Sequence, residues 1–258
     1  DEVDPGAGER LSALLLEPDW APGIWASVDS GEMDHLVPEL LALRMEQDPI
    51  HRHKDVLSHT IAVVGKTEPE ITVRLAALFH DIAKPRTRSF EHGGVTFRHH
   101  EAVGARMTRR CLVAMGYDEL LVDDVAELVR LSGRFKGYAD GWSDAAVRRY
   151  ARDAGPLLGR LNHLIRCDCT TRNREKAAGI QAAMDDLEHR IAELAEEARR
   201  AAERPGLDGA DVMAHLGIGP GRDVGRALAF LLEVKRTQGD LQRPDLEARL
   251  DAWWADQA

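Results

Sequence analysis

The composition of this 258-residue chain excludes several classes of protein before any motif is considered. The chain is long enough to bury a substantial core, and its length suits one large domain or a main domain with a small appendage. It has 34 Lys and Arg against 44 Asp and Glu, so the net charge of −10 excludes a general nucleic-acid-binding surface. Any contact with a polyanion must therefore be local.

The cysteines and the apolar segments indicate a cellular compartment. Cys111, Cys167 and Cys169 form neither a C-x-x-C pair nor an even set, so a reducing cytoplasm fits better than a disulfide scaffold. No segment approaches the roughly 20 apolar residues that span a bilayer, and residues 1–10 lack the pattern of a secretory signal. We expect a cytoplasmic protein without membrane contact, either a stand-alone chain or, since it lacks an initiator Met, a fragment.

Apolar residues at three- and four-residue spacing predict an all-α fold along almost the whole chain. In "KDVLSHTIAVVG" this spacing places His59 on the inward face of a helix that stops at Gly65. The one alternating run, "SFEHGGVTF", predicts a small β-hairpin that turns at Gly93-Gly94.

Helix-capping patterns give the boundaries of the next helices. Thr67 and Glu70 have the spacing of a capping box, which predicts a helix from about residue 68 to Lys84, where Pro85 stops it. Further helices are predicted at 101–115, 118–131, 144–154 with Ser143 as N-cap, and 156–168.

A long one-sided helix is predicted over residues 175–203, with a length of about 40 Å at 1.5 Å per residue. Its apolar residues alternate at steps of three and four: Ala177, Ile180, Met184, Leu187, Ile191, Leu194 and Ala198. This stripe is either the seam of a homodimer or a face that packs on the chain's own body, which is the commoner case in helix-rich proteins. A last helical unit, about 208–258, follows.

Four separate segments carry side chains that bind divalent ions. A lone histidine on an apolar helix face is usually a core residue, and an isolated His-Asp pair can be an ordinary helix end stabilised by the helix dipole. The combination favours a metal site, because imidazole and carboxylate ligands suit one divalent ion and a buried unpaired acid is costly. The segments supply His59, His80 with Asp81, His99 with His100, and Asp168.

The order H…HD…H…D resembles the signature of the HD-domain superfamily of metal-dependent phosphohydrolases, and "SHTIAVV", "LAALFHDIAKP" and "HHEAVGA" are similar to its first three motifs. From about residue 34 to the end, "HRHKDVLSHT", "WSDAAVRRYARDAG", "RCDCTTRN" and "GLDGADVMAHLGIGPGRDVGRALAFLLE" resemble the C-terminal half of actinobacterial tRNA nucleotidyltransferases, the CCA-adding enzymes. Residues 1–50 resemble neither the Gly-rich loop nor the D-x-D pair of the nucleotidyltransferase head, so we do not expect this chain to add nucleotides by itself.

The resemblance implies an HD-domain helical bundle with one small β-hairpin and a C-terminal helical extension. The expected division is an N-terminal helical segment at 1–45, the HD metal-binding domain at 46–174, the long helix at 175–204 and a C-terminal helical subdomain at 205–258.

The resemblance also implies the metal ligands. These are His59, His80, Asp81 and Asp168, with His100 as a further ligand. Related sequences have two more histidines where this chain has Ser132 and Lys136, and usually a glycine at Ala83. Because serine binds divalent ions poorly, we expect one tightly held ion (Mn, Fe, Co, Ni or Mg) and a weak or absent second one.

In such a site a metal-bound hydroxide attacks phosphorus, and Asp81 orients it. Lys84 and Arg88 are candidates to hold phosphate oxygens, with a solvated helix end as the alternative for Arg88. Residues 130–176 carry eleven Lys and Arg against five acids, which suits a phosphate-rich ligand or, alternatively, ion pairs with acidic helices. Candidates to contact the substrate are His99, Glu101, Arg172 and Asn173.

Two functions remain open from the sequence. The first is a metal-dependent nucleotide phosphohydrolase, which is a phosphatase, a nucleotidase or a cyclic phosphodiesterase. The second is the tRNA-binding C-terminal half of a CCA-adding enzyme with a vestigial HD site, whose partner is tRNA or another RNA end.

Overall fold

The computed structural model describes residues 6–18, 20–45, 55–91, 94–171 and 173–257. Helices dominate these ranges, and the single sheet found in them is a two-stranded hairpin, which confirms the predicted all-α class. In chain order the helices and strands are α1 Ala7–Leu16, α2 Trp20–Ser30, α3 Glu32–Leu36, α4 Pro38–Leu41, α5 Val56–Val64, α6 Ile71–Phe79, α7 Lys84–Thr87, β1 Arg88–Glu91, β2 Gly94–Phe97, α8 His100–Ala114, α9 Glu119–Leu131, α10 Asp144–Ala154, α11 Leu158–Asp168, α12 Arg174–Ala202, α13 Gly209–Leu216, α14 Arg222–Gln238 and α15 Arg243–Ala255. Short 3-10 turns lie at Tyr138–Asp140 and Gly155–Leu157.

The chain divides into two compact units, Asp1–Ile191 and Ala192–Ala258. The predicted division of the chain into four parts stays a prediction, because this observation does not test it. Across the described ranges, no helix is both long enough and apolar enough to cross a membrane.

Helix α6 is the centre of the first unit. Eight of its nine residues are buried, as expected for a helix that is apolar on every side. It packs against α1, α5, α9 and α11. Because α6 ends inside the core, the residues that follow Phe79 begin in a protected environment.

The start of α6 is not the capping box that the sequence predicts. Glu70 is itself the N-cap, with its carboxylate accepting from the backbone N–H groups of Thr72 and Val73, while the hydroxyl of Thr67 donates to the carbonyl of Val64 at 2.7 Å. A carboxylate at this position satisfies two of the free N–H groups of the first turn without a partner three residues away. The predicted pairing of Thr67 with Glu70 is therefore wrong.

The predicted continuation of α6 to Lys84 is also wrong, because the helix ends five residues earlier. Ile82 N–H bonds to the carbonyl of Phe79 at 3.1 Å and Lys84 N–H to that of Asp81 at 2.9 Å, so turns replace the α-helical pattern. Pro85 lies in the first turn of α7, where its missing N–H leaves no bond unmade.

The remaining predicted elements lie close to the observed ones. Strands β1 and β2 pair antiparallel, with Arg88 opposite Phe97 and Glu91 opposite Gly94, and the other half of the predicted turn, Gly93, lies outside the described residues. Ser143 caps α10 as predicted, accepting from the backbone N–H of Ala146.

The apolar stripe of α12 is buried only in part. Met184 and Leu187 are fully buried in the first unit, which favours packing on the chain's own body over that stretch. Leu194 is 8% exposed, whereas Ala198 is exposed. The homodimer seam stays a prediction.

The second unit has its own core. An aspartate capping box begins α13, formed by Asp208 and Asp211. This core is formed by side chains from the connection before α13 and from α13, α14 and α15, namely Leu207, Val212, Val224, Ala227, Leu231, Val234, Leu246 and Leu250.

Candidate metal centre

Four elements of the first unit bring the predicted metal-binding residues to one cavity of about 410 Å³. His59 lies in α5, the His80-Asp81 pair in the turn that follows α6, His100 at the start of α8 and Asp168 at the end of α11. The cavity is lined by His59, His80, Asp81, Lys84, Phe97, His100, Ser132, Gly133, Lys136 and Asp168.

The three imidazole rings are oriented by hydrogen bonds at their Nδ1 atoms. Nδ1 of His80 lies 2.7 Å from the carbonyl of Ala77, and Nδ1 of His100 lies 2.8 Å from that of Phe97. Because a carbonyl only accepts, these Nδ1 atoms carry the proton, and in the neutral ring Nε2 keeps the free lone pair. The Nδ1 atom of His59 lies 2.8 Å from the hydroxyl of Thr170.

The Nε2 atoms of two of these rings converge on carboxylate oxygens. His59 Nε2 is 3.0 Å from Asp168 Oδ1 and 3.7 Å from Asp81 Oδ2. His80 Nε2 is 3.3 Å from Asp81 Oδ2 and 3.5 Å from Asp168 Oδ1. Ligands at about 2.1 Å from one ion are roughly 3.0 to 3.4 Å apart, so these separations fit neighbouring positions around a divalent ion.

The surroundings of the buried Nε2 of His80 favour a positive charge at this point of the site. This atom makes no hydrogen bond to any described residue, although it is buried and faces two carboxylates. Burial disfavours protonation of the ring, but the charge of Asp81 and the neighbouring Asp168 carboxylate outweigh it and raise the pKa of His80 from 6.5 to about 10. Either a proton or a metal ion must therefore stand between this nitrogen and the two acids.

Asp81 is the buried anion of the site, with a side chain only 3% exposed. Burial by itself would raise its pKa, but the charges of His80, Lys84 and His59 hold the pKa of this carboxyl well below its usual range. Lys84 Nζ donates to Asp81 Oδ2 at 2.7 Å and is itself 7% exposed. The i, i+3 spacing of the two residues was the available sequence signal for this pair.

Asp168 differs from Asp81 in its exposure. Asp168 is the last residue of α11, and its side chain is 46% exposed. Its pKa is nevertheless held well below the usual range, because the contacts with His59 and His80 outweigh desolvation.

His100 approaches Asp81 from the other side. Its Nε2 lies 3.6 Å from Asp81 Oδ1, whereas the other two imidazoles face Oδ2. Burial lowers the pKa of His100, which keeps its ring neutral and able to bind a metal ion. On this side the cavity is completed by Ser132, whose hydroxyl donates to the carbonyl of Val129 at 2.9 Å, and by Lys136.

Of the predicted phosphate- or substrate-contacting residues that the structure describes, Arg88, His99, Glu101 and Asn173 are not among those that line the cavity. The guanidinium of Arg88 lies 5.0 Å from the centre of the Phe90 ring. His99 is exposed, with a left-handed backbone (φ 62°) at the N-cap of α8. The prediction that Lys84 holds phosphate oxygens stays a prediction, because its ammonium already donates to Asp81.

The remaining predicted substrate residues have distinct surroundings. Glu101 is close to the site, with Oε1 3.1 Å from Lys136 Nζ and Oε2 3.3 Å from His100 Nδ1. Asn173 caps α12 instead, because its Oδ1 accepts from the backbone N–H of Lys176 at 2.9 Å. Arg172 lies outside the described residues.

The basic segment 130–176 consists in part of ion pairs, which was the alternative to a phosphate-binding surface. Neighbouring acids hold Arg130, Arg134, Arg152, Arg160 and Arg166. Thr170, which orients His59, was not predicted, and its position two residues after Asp168 was the only sequence signal.

Comparison with known proteins agrees with the motifs. A family model described as "HD domain" matches residues 52–197, more than half of the chain. The CC-adding tRNA nucleotidyltransferase of Thermus thermophilus is 33% identical over 237 residues, which covers 88% of this chain and 51% of that protein. The A-adding tRNA nucleotidyltransferase of Deinococcus radiodurans is 32% identical over 264 residues, which covers 96% of this chain and 58% of that protein. The chain thus spans about half the length of the curated relatives it matches, and the resemblance drawn from its motifs is confirmed.

Proposed function

The chain belongs to the HD domain family, and from that premise we propose that it hydrolyses a phosphate ester of a nucleotide with the help of one divalent metal ion. One observation carries this proposal. The Nε2 atoms of His59 and His80 each lie 3.0 to 3.7 Å from one oxygen of Asp81 and one of Asp168, in a cavity that is open to solvent.

The proposed ligands are His59, His80, Asp81 and Asp168, with His100 next to them. An ion held there supplies an activated water and polarises the phosphoryl oxygen. A single tightly bound ion is supported by the donor set, because the Oδ1 side of Asp81 has one imidazole and two residues, Ser132 and Lys136, that are poor ligands.

The remaining steps, which are orientation of the water and protonation of the leaving group, depend on side chains near the ligands. Asp81 stays ionised, fixed by Lys84, and its Oδ1 faces the cavity on the side of His100, where it can accept a hydrogen bond from the attacking water and so orient it. Glu101, at the rim, stays ionised, because a backbone hydrogen bond and the charges of His100 and Lys136 outweigh desolvation and lower its pKa, so it is not suited to donate a proton to the leaving oxygen. A leaving group of low pKa needs no such donor.

The test is a panel of nucleoside 5′-, 3′- and 2′-phosphates and 2′,3′-cyclic nucleotides, assayed for hydrolysis with Mn²⁺, Co²⁺, Ni²⁺, Fe²⁺ or Mg²⁺. Asp81→Ala should lower the rate by at least about 100-fold, since it removes both a ligand and the orienting oxygen. Asp123→Ala, which removes an exposed acid paired with Arg109, is the matched control. Absence of hydrolysis with every metal would refute the proposal.

Metal analysis tests the stoichiometry separately. The purified chain should hold one equivalent of a transition metal through gel filtration. Two equivalents retained under the same conditions would contradict the reading of Ser132 and Lys136 as poor ligands.

A second function is supported by the extent of the similarity. The family match ends at residue 197, yet the two tRNA nucleotidyltransferases align with 88% and 96% of the chain, so the likeness continues outside that match. We therefore also propose tRNA as a partner, with the chain acting as the tRNA-binding half of a CCA-adding enzyme. In this case the phosphohydrolase site is vestigial.

Binding of fluorescently labelled tRNA at several salt concentrations separates the two functions. A tRNA-binding chain should bind with an affinity that falls steeply with salt and is unchanged in Asp81→Ala. Equal affinity for tRNA and for a duplex DNA of the same charge would argue against a specific tRNA partner.

A further inference from the structure

The two lysines that line the cavity differ in what they are able to bind. Lys84 is 7% exposed, and its Nζ lies 2.7 Å from Asp81 Oδ2, so its charge is committed to a buried carboxylate. The side chain of Lys136 is 72% exposed, and its Nζ lies 3.1 Å from Glu101 Oε1. Exposed ion pairs of this kind are weak and exchange partners easily.

Glu101, the ion-pair partner of Lys136, also contacts a histidine that lines the cavity. Glu101 Oε2 lies 3.3 Å from Nδ1 of His100, whose Nε2 faces Asp81 Oδ1. Gly133 makes room for this carboxylate, because a Cβ at that position would lie 2.1 Å from Glu101 Oε1. The ammonium of Lys136, a lining residue of the cavity, is thus held at its rim next to Glu101, on the Nδ1 side of the His100 ring.

The charges of the lining groups explain why an anion would attract this ammonium. Asp81 and Asp168 together balance a divalent ion, and Glu101 balances Lys136, so Lys84 leaves one net positive charge. A phosphate monoester carries close to two negative charges above its second pKa of about 6. A phosphate monoester, with close to twice the negative charge of a carboxylate, therefore competes with Glu101 for the ammonium of Lys136.

We propose that Lys136 is the residue that binds the phosphate group of the substrate, and that Glu101 holds its ammonium ready when no substrate is present. This inference rests on the proposed function for the identity of the substrate. It assigns the phosphate contact to Lys136 in place of Arg88, which lies outside the lining of the described cavity.

Calorimetric titration of the metal-loaded chain with inorganic phosphate at pH 8 tests the proposal without any catalytic step. Lys136→Ala should weaken phosphate binding roughly tenfold, as expected for the loss of one charged hydrogen bond, and Lys136→Arg should restore most of it. Glu101→Gln should tighten binding severalfold, since it releases the ammonium. Lys235→Ala, a lysine of the second unit that pairs with Asp240, is the charge-matched control and should change nothing.

Lys136→Ala and Glu101→Gln are expected to change phosphate affinity in opposite directions. This difference separates a phosphate-binding role from a merely structural ion pair. If Lys136→Ala and Glu101→Gln weaken phosphate binding equally, the pair only supports the cavity wall and the proposal is wrong. It is equally wrong if Lys136→Ala binds phosphate as the unmodified chain does, or if the unmodified chain binds none. Metal content measured for each variant excludes loss of the ion as the cause.

The outcome of this experiment can be distinguished from the outcome of the hydrolysis assay that tests the proposed function. Phosphate binding that depends on Lys136, together with no hydrolysis of any nucleotide, would keep the binding assignment and refute the enzyme. Hydrolysis of a nucleotide, together with phosphate binding that does not depend on Lys136, would keep the proposed enzyme and refute the assignment of Lys136.

Discussion

Replacing Thr170 by valine tests how the site is oriented, because this side chain holds a ligand without being one. Its hydroxyl lies 2.8 Å from Nδ1 of His59, whereas the other two imidazoles are held by backbone carbonyls that no substitution removes. For Nε2 to bind a metal ion, Nδ1 must carry the proton and donate it to Thr170. Valine keeps the shape of the side chain and removes the acceptor.

The expected effect follows from what else restrains the ring of His59. Loss of an outer partner of a metal ligand typically lowers metal affinity by about 10- to 100-fold. The ring is only 12% exposed and packs edge-on against the ring of His80, with centroids 5.4 Å apart, so it keeps part of its orientation. We therefore expect the lower end, about tenfold, which corresponds to about 1.4 kcal/mol.

Competition with a metal-binding dye for Mn²⁺ at pH 7.5 measures this affinity. Thr171→Val is the matched control, because the neighbouring hydroxyl accepts from the backbone N–H of Asn173 and has no contact with an imidazole in the described structure. An affinity of Thr170→Val within twofold of the unmodified chain, or an equal loss in Thr171→Val, would refute the argument that this hydroxyl orients His59.

Two further predictions concern the charge of the site. In the metal-free protein the pKa of His80 is raised to about 10, so its contribution to the free energy of unfolding is complete below pH 6.5 and is lost as the pH rises towards 10. Urea denaturation in EDTA across this range should show the decline, and His80→Gln should flatten it. Lys84→Met should tighten Mn²⁺ binding roughly tenfold, because it removes a positive charge 2.7 Å from Asp81 Oδ2. Weaker binding measured by the same dye competition would mean that Lys84 chiefly positions Asp81.

The helices were predictable where the signal is local. Periodicity and an N-cap residue give α10 its observed bounds, since both act within one turn of the chain. The end of α6 was not predictable in this way. Pro85 was the visible stop signal, yet the helix ends at Phe79, inside a core that is formed with α1, α5, α9 and α11.

The grouping of candidate metal ligands was predictable, but the roles of these residues depend on three-dimensional contacts. The order of the motifs names His59, His80 and Asp168, and the structure brings them together. The pairing of Lys84 with Asp81 depends on the turn that replaces the end of α6. The position of Arg88 over Phe90 likewise depends on a hairpin whose packing no sequence pattern specifies.

The two carboxylates show why exposure, which sequence does not give, decides the effect of a substitution. Asp81 is 3% exposed and is the hydrogen-bonded partner of a buried ammonium, so Asp81→Ala leaves Lys84 buried without that acceptor. Removing one partner of a buried pair costs about 3 kcal/mol or more. Asp168 is 46% exposed, and solvent compensates the loss of its charge, so Asp168→Ala should cost less than about 1 kcal/mol.

Urea denaturation of both variants in EDTA measures this difference without the contribution of metal binding. Both should lose metal affinity, since each loses one carboxylate ligand, but only Asp81→Ala should lose substantial stability. The double variant Asp81→Ala with Lys84→Met should recover much of that loss, because no unpaired charge then remains buried. Equal destabilisation by the two aspartate variants would show that the burial of Asp81 does not determine its role.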